Sequence, residues 1–399
     1  MKKTYLIFVL LIIILPCCGQ KKDNKIFGKK FNTQKEIITG AEQINIYINF
    51  LKDKKVAVVA NHSSQIDNTH LIDTLLSRKV NIQKIFAPEH GFRGKVERGK
   101  IVGDYVDKQT GIKVVSLFGK KKQPSAEDLK DIDIVIYDIQ DVGIRFFTYI
   151  STMYLVMKSC AANNVQMMIL DRPDPNGDYV DGTVLDTVNF KSFVGMLPIP
   201  IVYGLTPGEL AQMINGEGWL GQNLKCNLKV IKCQNYTHKM HYSLPVKPSP
   251  NLPNDLSIRL YPSLCFFEAT NFSVGRGTDF PFQVVGYPDS IYGTFTFIPH
   301  DIPGVQTNPV HKGETCYGLD LRNESLSHKF TLKHLLYFYN LTADKTTFIN
   351  RKRFFDLLAG TDKLRKMILS GKTEAEIKES WKPELEKYKA MRQKYLLYK

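Results

Sequence analysis

Four short apolar runs, each passing directly into polar residues, constrain this chain more than any other feature. Val56 to Val59 leads into Asn61 and His62, Ile85-Phe86 into Pro88-Glu89-His90, Ile134 to Tyr137 into Asp138-Ile139-Gln140-Asp141, and Met167 to Leu170 into Asp171-Arg172. Uninterrupted apolar runs of this length fit strands buried on both faces, as in a parallel sheet with helices on either side. If the four lie side by side, their polar followers gather at the carboxyl edge, where open α/β sheets bind ligands.

The intervening sequence supports that arrangement. Strands are expected at Lys55–Ala60, Ile82–Ala87, Lys113–Leu117, Ile134 onward and Val165–Leu170, with a helix around Thr69–Leu76. Ser125 is placed to cap a short helix carrying Glu127 and Asp128 in its first turn, and Thr206-Pro207-Gly208-Glu209 opens another with proline at its first position. Ile150, Met153, Tyr154, Met157, Cys160 and Ala161 recur at helical spacing. Alternating β and α predicts a parallel sheet covered on both sides. The pattern breaks at the proline-rich stretch 244–258, a stiff connector or a wall of the cleft. Beyond it, strand-like pieces such as Thr294–Ile298 precede helical ones, and Trp381, Leu385, Tyr388 and Met391 share a face. The expected division is thus an α/β domain over 36–243 and a smaller α+β domain over 259–399.

The amino terminus reads as a targeting segment. Lys2 and Lys3 give a basic start, Tyr5 to Leu15 an apolar stretch too short to span a bilayer, and Pro16-Cys17-Cys18-Gly19 a processing site. This predicts a lipoprotein signal over 1–18, with Cys18 as the acylated residue because Cys17 would place proline next to the cleavage point. A lysine-rich tether follows over 19–35. The expected location is the cell envelope, on the periplasmic face of a bacterial membrane, with the lipid anchor as membrane contact. Five further cysteines remain: Cys160, Cys226, Cys233, Cys265 and Cys316. Their separations match no zinc module, so most are expected to be small core residues, although a Cys226–Cys233 disulfide is compatible with an oxidising compartment. The formal charge of +15 suits an anionic surrounding such as phospholipid or wall polymer, and nucleic acid is not an expected partner of an exported chain.

Several groups could carry chemistry. Glu89 lies between a buried strand and a glycine-flanked loop, A-P-E-H-G-F-R-G, where a partly desolvated carboxyl can donate a proton to a leaving oxygen. His90 could tune it, and Arg93 could instead pair with it on the surface. Asp138 and Asp141, with Gln140 between them and Arg145 close behind, could position water, orient sugar hydroxyls or ligate a metal. Asp171 and Arg172 are exposed by a tight turn in D-R-P-D-P-N-G-D, whose spacing fails as a calcium loop. Arg276 sits between two glycines in N-F-S-V-G-R-G-T, with Glu268 upstream, and could hold a carboxylate through two parallel hydrogen bonds. No G-x-G-x-x-G follows the first strand, and the chain contains no P-loop, G-x-S-x-G or H-E-x-x-H. No cofactor is expected, and an acid-rich, aromatic-bearing cleft suits carbohydrate chemistry.

Seven motifs in order, P-E-H-G-F-R-G (88–94), S-L-F-G (116–119), D-I-Q-D-V-G-I-R-F-F-T-Y-I (138–150), L-D-R-P-D-P-N-G (170–177), Y-G-L-T-P-G-E-L (203–210), P-S-P-N-L-P (248–253) and N-F-S-V-G-R-G-T (271–278), make the chain resemble the NamZ-type exo-β-N-acetylmuramidases over nearly everything after the tether. The resemblance implies a Rossmann-like domain joined to a smaller one with the cleft between them. It also implies an exo-acting glycosidase that removes N-acetylmuramic acid from the non-reducing ends of peptidoglycan fragments. The family's glutamate falls on Glu89, and its D-I-Q-D motif on Asp138 and Asp141. Arg276 and Arg145 are the expected grips for the lactyl carboxylate on chemical grounds, with Asn61, His62, His90, Arg93, Gln140, Asp171, Arg172 and Glu268 as further sugar-binding candidates. Phe118 and Phe147 stand where tyrosine is expected, and Asp174 where asparagine is. A metal-dependent hydrolase using Glu89, His90, Asp138, Asp141 and Asp171, and a lipoprotein that only binds wall saccharides, are the competing expectations.

Overall fold

Side chains along the expected strands alternate between two apolar clusters. Val56, Val58, Ile134, Ile136, Met168 and Leu170 enter one, while Ala57, Val59, Val135, Tyr137, Met167 and Ile169 enter the other. A strand with both faces buried in this way must lie inside a covered sheet. The computed structural model, which describes residues 35–89, 91–93, 103–221 and 223–399, shows that sheet. Its strands are β1 (Lys55–Ala60), β2 (Asn81–Ala87), β3 (Tyr105–Val106), β4 (Lys113–Ser116), β5 (Ile134–Asp138), β6 (Gln166–Leu170) and β7 (Leu228–Ile231). They lie in the order β3-β4-β2-β1-β5-β6-β7, and all pair in parallel except β3, which runs antiparallel to β4 at one edge. The six parallel strands reproduce the doubly wound Rossmann order, whose direction of winding reverses between β1 and β5. The signal segment, Cys18, nearly all of the tether, and His90 lie outside the described residues.

Local sequence explains most element ends. The helix expected over Thr69–Leu76 runs from Leu71 to Ser77, because Thr69 and His70 pair with Gln65–Ile66 in a small hairpin and the His70 ring accepts the Ile72 N–H at 3.2 Å. Ser125 and Thr206 each form a reciprocal capping box, with Asp128 and Glu209 respectively. The 14-residue helix Tyr149–Ala162 is buried almost all round and covers one face of the sheet.

After the proline-rich stretch, the helix Asp255–Leu264 leads to a three-stranded antiparallel sheet of β8 (Val284–Tyr287), β9 (Phe295–Phe297) and β10 (Cys316–Asp320), with β10 central. The helices Lys333–Leu341, Lys352–Ala359, Lys363–Leu369 and Glu374–Arg392 follow, the last burying Ile377, Trp381, Leu385 and Tyr388. One apolar cluster runs without a break from the main sheet into these helices. Ile37–Lys399 form one compact unit. Near the carboxyl end, Tyr398 is buried: its hydroxyl donates to Asp171 at 2.6 Å, and Glu209 accepts the Leu397 N–H at 2.7 Å. All five described cysteines are buried free thiols, so the Cys226–Cys233 disulfide is not formed.

Candidate active site

A cavity of about 240 Å³ opens beyond the carboxyl ends of the parallel strands. Glu89 enters it two residues after β2, Phe118 two residues after β4, and Phe146 to Tyr149 from the turn between β5 and the following helix. Ser249, Asn251 and Leu252 of the proline-rich stretch form another side, so that stretch serves as a cleft wall. Tyr261, Arg276, Phe282 and Phe354 close it from the carboxyl-terminal half. The aromatic lining is interlocked edge to face, with Phe147–Tyr149 and Tyr261–Phe282 centroids both 4.9 Å apart.

Glu89 is half-buried, and its Oε2 accepts a hydrogen bond from Thr148 Oγ1 at 3.1 Å. Thr148 is the residue before the Tyr149–Ala162 helix, so a rigid element fixes the carboxyl group. Burial, reinforced by the charge of Glu89, pushes the Tyr149 phenol far above its ordinary pKa, leaving it a hydrogen-bond donor. Asn251 is buried in the cavity wall, and its Oδ1 has no hydrogen-bond partner among the described residues. Arg276 reaches the cavity with its Nε held by Glu268 Oε1 at 2.6 Å and its guanidinium 4.8 Å from the centre of the Phe282 ring.

The two aspartates of D-I-Q-D, expected to act in catalysis, do not line this cavity. Asp138, wholly buried, is held by Arg172 through two parallel bonds, Nε to Oδ1 at 2.6 Å and Nη2 to Oδ2 at 3.0 Å. The register explains the pairing: Tyr137 lies beside Ile169, so the residues just past β6 arrive next to the end of β5. Asp141 turns away into the interior, accepting the Gly143 N–H at 2.7 Å and the Tyr203 hydroxyl, and burial raises its pKa to about 7. Asp174 packs against the same Gly143, and burial raises its pKa well above the carboxylate range.

Arg145, an expected grip for the lactyl carboxylate, is wholly buried and does not line the cavity; its Nη1 and Nη2 donate to backbone carbonyls, Thr183 at 2.6 Å, Ile199 at 2.8 Å and Leu358 at 2.8 Å, which ties the two halves of the chain together. Asp171 is buried beneath the Pro207–Gly216 helix, accepting the Gly208 N–H at 2.7 Å and the Thr206 hydroxyl at 2.7 Å, with its pKa raised by burial to about 6. Arg172 is consumed by Asp138, and Gln140 by the Asp141 and Pro173 carbonyls at 2.9 and 2.8 Å. Asn61 orders its own turn through Ser63, His62 holds the Lys247 carbonyl at 2.8 Å, and Arg93 pairs with Asp107 at 2.9 Å and not with Glu89. Of the candidates within the described residues, Glu89 and Arg276 line the cavity, with Glu268 holding the latter. Of the metal-site constellation, His90 lies outside the described residues, and among those described no three His, Cys, Asp or Glu side chains are grouped to hold an ion.

Sequence reasoning missed Thr148, Tyr149, Asn251, Tyr261 and Phe354 as lining residues. The first three lie inside motifs that carry the family resemblance, which was the available signal; Tyr261 and Phe354 had none.

Comparison with known proteins gives a consistent result. Residues 56–256 match the family model described as exo-beta-N-acetylmuramidase NamZ, N-terminal, and residues 259–398 the corresponding C-terminal model. The peptidoglycan beta-N-acetylmuramidase NamZ of Bacillus subtilis (strain 168) is 36% identical over 371 residues, spanning 87% of this chain and 88% of that protein. Two crystal structures of DUF1343 family proteins from Bacteroides fragilis NCTC 9343 superpose well. One has a TM-score of 0.83 at 46% identity, covering 92% of this chain and 99% of that one; the other has 0.80 at 29%, covering 91% and 99%. With both family models matched in order across the sheet, the cavity and the carboxyl-terminal helices, the chain belongs to the NamZ exo-β-N-acetylmuramidase family.

Proposed function

We propose that this chain is a glycoside hydrolase that removes N-acetylmuramic acid from the non-reducing ends of peptidoglycan fragments, with Glu89 as the general acid. The observation that carries this is the position of Glu89: a carboxyl group fixed by Thr148 in an aromatic-walled cavity at the carboxyl edge of a doubly wound sheet. A volume of about 240 Å³ lies below the roughly 300–1,000 Å³ of ordinary small-molecule pockets and suits one sugar ring, in keeping with removal of a terminal residue. Glu89 gives its proton to the leaving glycosidic oxygen as the bond to the anomeric carbon breaks and positive charge builds on the ring, and a water molecule then bonds to that carbon and releases its proton to solvent. The aromatic faces exclude water from the apolar sides of the sugar. Arg276 answers the lactyl carboxylate, the group that distinguishes muramic acid from glucosamine, and a site built around such a contact rejects sugars that lack it.

The anchor and the location belong to the same proposal. Acylation at Cys18 would tether the enzyme to the periplasmic face of the envelope, near its polymeric substrate. Replacing Cys18 by serine should release the protein into the soluble fraction, and membrane retention of that variant would count against the anchor.

The soluble form beginning after Cys18 should release chromophore from a β-N-acetylmuramide and not from the matching β-N-acetylglucosaminide. Binding of wall saccharides without release from either would favour a carrier protein instead.

A further inference from the structure

The loop from Gly275 to Phe282 passes three times through left-handed backbone, at Gly275 (φ 76°), Gly277 (φ 82°) and Phe282 (φ 57°). Glycine takes this conformation freely, and at 277 nothing else fits, since a Cβ would lie 2.4 Å from the His300 carbonyl oxygen. Phe282 has no such licence. The other non-glycine residues at positive φ among those described are Asp, Asn, Lys and His, whereas Phe282 is a bulky apolar residue and is 1% exposed. A backbone strained in this way persists only where its surroundings hold it, and such positions gather at functional sites.

The surroundings show what the strain achieves. The Phe282 N–H donates to the Val274 carbonyl at 2.7 Å, which closes the loop. The ring stands edge-on to Tyr261 at 4.9 Å and offers its face to the Arg276 guanidinium at 4.8 Å, while Glu268 holds the Nε of the same arginine at 2.6 Å. Arg276 and Phe282 both line the cavity that contains Glu89. A long, flexible charged side chain is thereby fixed by a carboxylate on one side and an aromatic face on another, before any ligand arrives.

We infer that Phe282 is a positioning residue for substrate selection: its ring fixes the Arg276 guanidinium so that the cavity prefers sugars carrying the lactyl carboxylate. This rests on the muramic acid reading of the cavity and names the support on which its selectivity depends. Glu268 neutralises part of the arginine's charge, so selectivity comes from the placement of the guanidinium and not from net charge alone.

The test compares the binding of N-acetylmuramic acid and of its neutral methyl ester by calorimetry in the parent, Phe282→Leu and Phe282→Tyr proteins. The leucine variant should lose about tenfold in affinity for the acid, the scale of one desolvated cation–π contact, with little change for the ester. The tyrosine variant, which keeps the aromatic face, should bind as the parent does. Equal losses for acid and ester, no loss for the acid, or failure of the tyrosine variant would overturn the inference. If the leucine variant does not fold, Phe282→Met serves the same comparison. A parent that hydrolyses the muramide while the leucine variant keeps full preference for the acid sinks this inference alone; a parent with no preference for acid over ester sinks the muramic acid reading and this inference with it.

Discussion

Replacing Asp138 by asparagine separates a structural acid from a catalytic one. The carboxylate is completely buried, its partner Arg172 is 4% exposed, and the two share bonds of 2.6 and 3.0 Å. Asparagine keeps one acceptor but sets an N–H group against Arg172 Nη2, leaving a buried guanidinium half-paired. Breaking a buried pair by removing one partner costs about 3–5 kcal/mol. Because unfolding entropy grows with chain length, a unit as long as Ile37–Lys399 shifts by about 1–2 °C per kcal/mol, so the melting temperature should fall by roughly 3–10 °C. The assay is thermal unfolding by circular dichroism, combined with turnover of a chromogenic muramide well below the variant's transition. The folded variant should retain most of its activity, and Asp138→Leu combined with Arg172→Met should recover much of the lost stability, because an apolar pair of similar volume carries no desolvation cost. An asparagine variant that melts with the parent yet has lost turnover would refute the structural assignment.

Thr148→Val removes the hydroxyl that holds Glu89 at 3.1 Å; kcat should fall by up to about tenfold, the scale of one lost positioning hydrogen bond, and Thr148→Ser should restore it. Burial raises the folded-state pKa values of Asp141 to about 7 and Asp171 to about 6. Because these exceed the unfolded value near 3.8, the native state binds the protons more tightly. Their contribution to stability is therefore full at acid pH and is lost as pH rises through about 4 to 7. Asp141→Asn should flatten that decline in urea titrations taken at several pH values. Tyr398→Phe removes a donor to Asp171 at 2.6 Å and an acceptor for the Cys233 N–H at 2.9 Å; a loss of about 1–3 kcal/mol should appear as a lower urea midpoint.

The central sheet was legible because burial on both faces leaves a plain mark, an uninterrupted apolar run with an abrupt polar end. β7 and β3 were not, since a four-residue strand with three half-buried positions and a two-residue exposed edge strand carry little pattern. The site divided along a different line. Glu89 and Arg276 reach the cavity where proline and glycine flank them and turn the chain, a signal present in the sequence. Asp138, Asp141, Asp171 and Arg145 look equally catalytic in sequence, yet an acid at a strand end can face the cleft or its neighbour in the sheet. The deciding quantity is the register between β5 and β6, which brings Arg172 to Asp138 and which no single strand reveals. Thr148 and Asn251 were hidden for a related reason: each is an ordinary polar residue until the fold sets it beside Glu89 or in the cavity wall.

The claim that Glu89 is the general acid is tested most directly by measuring turnover of Glu89→Gln on two β-N-acetylmuramides, one with a nitrophenol leaving group and one with the 4-hydroxyl of N-acetylglucosamine. Nitrophenolate leaves without a proton and the sugar alcohol does not, so the account predicts a modest loss on the first substrate and a loss of about 10²–10⁴-fold on the second. Equal losses on both, or near-parent turnover of the disaccharide, would contradict it.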